Sequence, residues 1–233
     1  MPIFVVSVAI ESKAIENNAM KNQAMESNTL RKKQHWDKVY STKAPDSVGW
    51  FQQHADQSLN LINAAAATKS AAIIDIGGGA STLVDDLLVS GYSALTVLDI
   101  SGVALSTAKK RIGQGCNEVK WIEADVTKAS LSSQAYDVWH DRALFHFLTL
   151  PEDRHAYVEA VIHAVKLGGH VIVATFADDG PEQCSGLPAL RYSPEKLFAE
   201  FGSSFEMIKH VQEQHITPLG NIQRYTYCYL RKK

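Results

Sequence analysis

The chain has 233 residues, 45% of them apolar and 21% charged, an ordinary globular composition that suits one large α/β domain or two small ones. A formal net charge of -2 lacks the basic footprint of a general nucleic-acid binder, so nucleic acid is not an expected partner. Three widely spaced cysteines, Cys116, Cys184 and Cys228, form no CxxC pair, which argues against a disulfide framework or a structural metal site and suits a reducing cytoplasm.

The run Pro2-Ile3-Phe4-Val5-Val6-Ser7-Val8-Ala9-Ile10 is too short to span a bilayer and lacks the flanks of a signal peptide. No later stretch approaches the roughly 18 apolar residues a spanning helix needs, so no membrane association is expected. Residues 11–34 are polar and rich in Asn, Lys, Glu and Met and read as a frayed helix or a disordered stretch, so that 1–34 is expected to be a flexible leader. Character changes at His35-Trp36-Asp37-Lys38-Val39-Tyr40, where Trp36 and Tyr40, four apart, share one face of a short helix. Pro45 and Asp46 mark a loop, Trp50-Phe51 returns aromatics, and Ser58 to Ala67 is a helical run.

From residue 70 the pattern alternates between strand and helix. The strands are Ala71–Ile76, Ala94–Asp99, Val119–Glu123, Tyr136–His140 and Gly169–Phe176. Between them lie helices over Ser81–Ser90, Ser101–Ile112 (capped by Ser101, stopped by Gly113) and Glu152–Val165. Such alternation predicts a parallel sheet covered on both faces. A helix over Ser193–Phe201 follows, then strands Phe205–Ile216 and Arg224–Arg231 around the turn cluster Pro218-Leu219-Gly220-Asn221. The expected fold is therefore α/β: a Rossmann-like, doubly wound seven-stranded sheet, mostly parallel, closed by a C-terminal antiparallel hairpin.

The chain turns on Ile73-Ile74-Asp75-Ile76-Gly77-Gly78-Gly79-Ala80-Ser81, a buried strand, a glycine turn and a helix start. Such a turn lets a ligand approach bare backbone. The dinucleotide fingerprint GxGxxG fails at Thr82. The stretch instead resembles the D-x-G-x-G-x-G motif of class I, seven-stranded S-adenosylmethionine-dependent methyltransferases, with Ser81 for the last glycine. Asp99 closing the second strand, Asp125 after the third and Tyr136-Asp137-Val138-Trp139-His140-Asp141-Arg142 at the fourth resemble that family's later motifs in order. Leu167 departs from its L-x-P-G-G helix ending at the proline position. The resemblance spans roughly residues 35–233.

The resemblance implies S-adenosyl-L-methionine as cofactor. In it Asp99, followed by Ile100, accepts from the ribose diol, while Asp125 and the Val126 N–H meet adenine. Gly77, Gly78 and Gly79 face the methionine end, and Asp75 orients the turn or meets the ammonium through water. It also implies an aromatic N-terminal lid, here helical over 35–68. Trp36-Asp37-x-x-Tyr40 resembles a W-D-x-x-Y opening, and the aromatic faces of Trp36 and Tyr40 suit a sulfonium. Asp141-Arg142-Ala143 resembles the same segment of thiol methyltransferases and the D-K-G segment of seven-strand protein-lysine methyltransferases.

Methyl transfer is an in-line displacement, and a base is needed only for a protonated nucleophile. Asp141, which meets the methionine ammonium or steers the acceptor, and His140 or His146, as proton acceptors, are the catalytic candidates. The Gly/Pro-rich loop Ala177 to Pro188 is expected to shape the acceptor pocket with Arg191 and Tyr192, and Cys184 within it is not an expected nucleophile. The expected activity is methyl transfer to a small-molecule acceptor by a cytoplasmic monomer or homodimer. The alternatives are a protein-lysine acceptor, cofactor binding without transfer, or, disfavoured, a nicotinamide oxidoreductase.

Overall fold

A computed structural model describes residues 26–233; the N-terminal apolar run and the rest of 1–25 lie outside the described residues. Strands β1 (Ala72–Ile76), β2 (Ala94–Asp99), β3 (Val119–Glu123), β4 (Tyr136–Arg142) and β5 (Val165–Phe176) are mutually parallel. A two-residue hairpin, β6 (Gln183–Cys184) and β7 (Leu187–Pro188), stands apart from the main sheet. Strands β8 (Phe205–Ile216) and β9 (Ile222–Lys232) form the closing hairpin, with β9 antiparallel to β5. The order β3-β2-β1-β4-β5-β9-β8 is the expected seven-stranded sheet.

Period-two alternation puts successive side chains on opposite faces, so each central strand feeds two cores. Ile73, Leu95, Val97, Ile172 and Tyr227 pack against one group of helices: α2 (Asp56–Ala65), α3 (Leu83–Val89) and α4 (Gly102–Ile112). Ile74, Leu98, Trp139, Val171 and Leu230 pack on the other face against α5 (Pro151–Ala164) and α6 (Pro194–Phe201). Ser101 caps α4 as expected, its hydroxyl accepting from the Ala104 N–H at 3.1 Å, and Gly113 ends that helix at φ 66°.

Three expectations need correction. Residues 26–34, read as flexible leader, are helical within α1, which spans 26–42 and also carries Trp36 and Tyr40. Their polar composition serves contacts across to the sheet rather than disorder, as the site shows. The helix expected from Ser81 starts at Leu83: the Ser81 hydroxyl accepts the Leu83 N–H at 3.2 Å ahead of the first turn, the Thr82 hydroxyl donates to the Gln52 carbonyl at 2.8 Å, and Asp85 and Asp86 occupy the first turn. Finally, β5 starts at Val165, four residues early, with Gly168 at φ 74° and a register shift opposite it between Tyr136 and Val138. Leu167 therefore sits within a strand, exposed, where the family motif places its proline.

Candidate functional site

Strand order reverses between β1 and β4, and ligands in open α/β sheets bind outside the carboxyl ends of strands at such a point. A cavity of about 290 Å³ lies there. Gly77, Asp99, Ile100, Asp125 and Val126 line it from the sheet, and Trp36 and Tyr40 line it from α1. Seven of the residues singled out from sequence as cofactor contacts thus share one chamber. A smaller, polar cavity of about 50 Å³ adjoins it, lined by Asp75, Gly77, Gly78, His140 and Ser58, with Tyr40, Trp50 and Arg142 bordering both.

The glycine turn has reasons for its composition. Gly77 and Gly79 adopt φ values of 66° and 47°, conformations that side chains rarely take. A Cβ on Gly78 would stand 2.5 Å from Asp75 Oδ2, and one on Gly79 would stand 2.9 Å from Asp99 Oδ2 and 3.0 Å from the Tyr40 hydroxyl. The turn is therefore pressed between two carboxylates and the lid. Asp75 Oδ1 lies 2.7 Å from His140 Nδ1, whose Nε2 lies 2.8 Å from the Ser58 hydroxyl. Asp75 and His140 are both buried, so the pair braces the floor of the turn.

Asp99 is buried and accepts from the Ser101 N–H at 2.7 Å. Burial pushes its carboxyl up to about 7, and the neighbouring Asp75 and Asp37 add to this against the N–H groups of Ser101 and Gly79. Asp125 accepts the Thr127 N–H and hydroxyl on Oδ1 and the Thr29 hydroxyl, at 3.1 Å, on Oδ2. Helix α1 is tied down along this end: Lys33 reaches Glu123, Lys32 reaches Asp153, each at 2.8 Å, and the Ser101 hydroxyl donates to Asp37 at 2.6 Å. Trp36 in turn meets Tyr40, Trp50 and Phe147 with ring centroids 5.1–6.2 Å apart.

The three expected catalytic residues do not come together in the main cavity. Asp141 is wholly buried and turned inward: Oδ1 accepts the Leu144 and Phe145 N–H groups at 2.9 and 3.4 Å, and Oδ2 accepts the Tyr157 hydroxyl at 2.7 Å. Burial raises its carboxyl to about 6 against these bonds. It shapes the turn after β4 rather than steering a ligand. His146 is buried, stacks on Phe176 at 4.4 Å and accepts the Phe176 N–H on Nδ1. Burial, with Arg142 nearby, pushes it down to about 3, so it is neutral and a poor base at neutral pH. His140 is committed to Asp75 and Ser58. The Ala177–Pro188 loop does reach the cavity, through Cys184, Leu187 and Pro188, whereas Arg191 and Tyr192 do not line it. Burial raises the Cys184 thiol to about 11, which keeps it protonated.

Sequence reasoning missed Arg142 and the early part of α1. Arg142 borders both cavities, donates to the Trp50 carbonyl at 3.1 Å and to the Tyr227 hydroxyl at 3.0 Å, and pairs with Glu213 at 3.1 Å. Its partners come from a loop and from β8 and β9, so no local motif announces them. Asn28 and Lys32 line the cavity, and the helical spacing of Asn28, Lys32, Trp36 and Tyr40 at i, i+4, i+8, i+12 is a signal that was there to be read.

The chamber fits a nucleoside carrying a cationic tail: a buried carboxylate at the end of β2, a second carboxylate after β3, a side-chain-free turn and aromatic faces. A family model described as a methyltransferase domain matches residues 73–169. With the fold, this marks residues 73–169 as a methyltransferase domain, set in a sheet of the class I, Rossmann-like order that S-adenosylmethionine-dependent methyltransferases use. The chain is an enzyme, and S-adenosylmethionine is its cofactor. Among its relatives, EEF1A lysine methyltransferase 2 of Danio rerio is 26% identical over 196 residues, covering 78% of each chain. Among solved structures, one described with the conversion of a disulfide bond into a thioacetal group during echinomycin biosynthesis superposes with a TM-score of 0.68 at 18% identity, covering 86% of this chain and 92% of that one. The 1,6-didemethyltoxoflavin-N1-methyltransferase of Burkholderia thailandensis, solved with 1,6-didemethyltoxoflavin and S-adenosylhomocysteine, gives 0.61 at 16% identity, covering 92% and 90%.

Proposed function

We propose that the enzyme moves a methyl group from S-adenosylmethionine to a small-molecule acceptor. The observation that carries this is the roof: α1 and the β6–β7 hairpin both line the chamber, which favours a compact guest. In this reading Asp99 accepts from the ribose diol, Asp125 and the Val126 N–H read adenine, and the Gly77–Gly79 backbone takes the methionine end. Trp36 and Tyr40 lie against the sulfonium, Ile100 packs beside the nucleoside, and Asp75 holds the turn with His140. Asp141 and His146 frame the chamber from behind.

A lysine on a protein is the second reading, favoured by the function of the EEF1A methyltransferase relatives. The test is a transfer assay with methyl-labelled cofactor, run separately on dialysed cell metabolites and on cell proteins. Label in the metabolite fraction is the expected result. Label confined to protein overturns the small-acceptor reading. Among the described residues no helix is long and apolar enough to cross a membrane, which is compatible with either acceptor.

A further inference from the structure

The acceptor end of the chamber has an unusual charge inventory. Of the described residues that line the main cavity, the only carboxylates are Asp99 and Asp125, both where β2 and β3 stop, and none is a histidine. The cavity's other ionisable groups are Lys32, Tyr40, Arg142 and Cys184, with Tyr40 reaching back towards Asp99, and the wall around Arg142 includes Trp50, Leu187 and Pro188. The Tyr40 phenol is held above its ordinary range by burial, then by Asp99, and burial holds the Cys184 thiol up as well. A guanidinium does not give up its proton. None of Arg142, Tyr40 and Cys184 takes a proton at neutral pH.

Arg142 is also incompletely used. A guanidinium has five N–H donors. Nε–H is shared between Tyr227 and Glu213, one Nη1–H goes to the Trp50 carbonyl, and one Nη2–H goes to Glu213. One N–H on each terminal nitrogen has no acceptor among the described residues, on a side chain that borders both cavities.

We propose that the acceptor attacks as an anion, a thiolate or a carboxylate on a small apolar body, and that Arg142 is the residue that selects it. This rests on the small-acceptor reading above. An ammonium group, with an ordinary pKa of about 10.4, must shed a proton before it can attack. Arg142, Tyr40 and Cys184 do not receive that proton, and the Arg142 guanidinium repels the ammonium charge. An anion attacks with a lone pair it already holds. As the new bond to carbon forms, the carbon–sulfur bond of the donor breaks and its electron pair stays on that sulfur. The two charges cancel and no proton has to leave. The aromatic and aliphatic walls suit an acceptor body that is weakly hydrated.

Three probes of similar shape separate the cases: thiophenol, benzoate and benzylamine. Each is titrated calorimetrically into the full-length enzyme saturated with S-adenosylhomocysteine, and each is offered with labelled cofactor. The expected result is binding and methylation of thiophenol, benzoate or both, giving the S-methyl thioether or the methyl ester, with benzylamine neither bound nor methylated. Arg142→Gln is expected to weaken anion binding about tenfold, the loss of a charge-assisted hydrogen bond, while Arg142→Lys loses less. Melting temperature and cofactor affinity are read alongside, and if Arg142→Gln does not fold, the probe series on the unaltered enzyme decides. Preference for benzylamine, an unchanged anion affinity in a folded Arg142→Gln, or no anion binding to the cofactor-loaded enzyme overturns the proposal. Failure of the small-acceptor reading looks different: label on protein alone, whatever the probes do.

Discussion

Strand β2 ends beside the cavity in buried Asp99 and β4 carries buried Asp141 one residue before its end, yet Asp99 lines the chamber and Asp141 turns its back on it. Burial raises both carboxyls, to about 7 and about 6. The difference lies in their partners. Asp141 has three protein donors, one of them the Tyr157 hydroxyl that also accepts from Trp139 at 2.9 Å. Among the described residues Asp99 has backbone donors only, from Ser101 and Gly79. A carboxylate that a fold buries and under-supplies with donors is waiting for a ligand to provide them, whereas a fully bonded one is part of the frame.

This contrast can be broken most directly at Asp141. Replacing it by Ala strands the Tyr157 hydroxyl and the Leu144 N–H in the interior and should cost about 3–4 kcal/mol of stability in urea unfolding. A loss under about 1 kcal/mol accompanied by lost cofactor binding would exchange the roles of the two aspartates.

Asp99→Asn should leave stability nearly intact and weaken S-adenosylmethionine by roughly 1–3 kcal/mol. An unchanged dissociation constant would remove Asp99 from the ribose role. The two residues also predict a pH dependence. Their folded carboxyls titrate above the unfolded value, so their contribution to stability is full below about pH 4 and is lost as pH rises through about 6 and 7. A diol donates best to the ionised form, so cofactor affinity should rise about tenfold per pH unit up to about 7 and then level off. Calorimetry from pH 5 to 8 reads the slope, and Asp99→Asn should flatten it.

The lid sharpens the contrast from the other side. Removing residues 1–25 should leave cofactor affinity as it is, whereas removal through residue 42 takes away Trp36 and Tyr40 and should weaken it about tenfold. Equal affinities would reject α1 as part of the site. Lys33→Ala, which cuts the partly exposed pairs to Asp37 and Glu123, should cost only about 0.2–1 kcal/mol of affinity, and less at high salt. A larger loss would make Lys33 the principal anchor of the helix.

The sheet is legible in the sequence because alternating apolar runs and glycine stops are local signals, and strand ends place Asp99 and Asp125 without further information. What a strand end cannot reveal is the direction of its side chain. After β4 the chain passes through Ala143 at φ 73°, a left-handed turn unusual for a residue with a Cβ, and this turn brings the Leu144 and Phe145 N–H groups back onto Asp141. The helical order of residues 26–34 was hidden for a related reason. Their apolar content is low, and their anchors, Asp125, Glu123 and Asp153, lie 90 or more residues away in sequence. Arg142 joins a loop, β8 and β9, a meeting that only the closed sheet creates.

Helix α1 has one consequence in time rather than in space. Thr29 occupies the Asp125 carboxylate that adenine is proposed to use, and Trp36 and Tyr40 close the chamber from the same helix. On the proposed cofactor placement, exchange of cofactor calls for α1 to lift, and release of S-adenosylhomocysteine is then the expected bottleneck of the turnover. A burst of one methylated product per enzyme, followed by a slower steady rate, is the signature of such a clock.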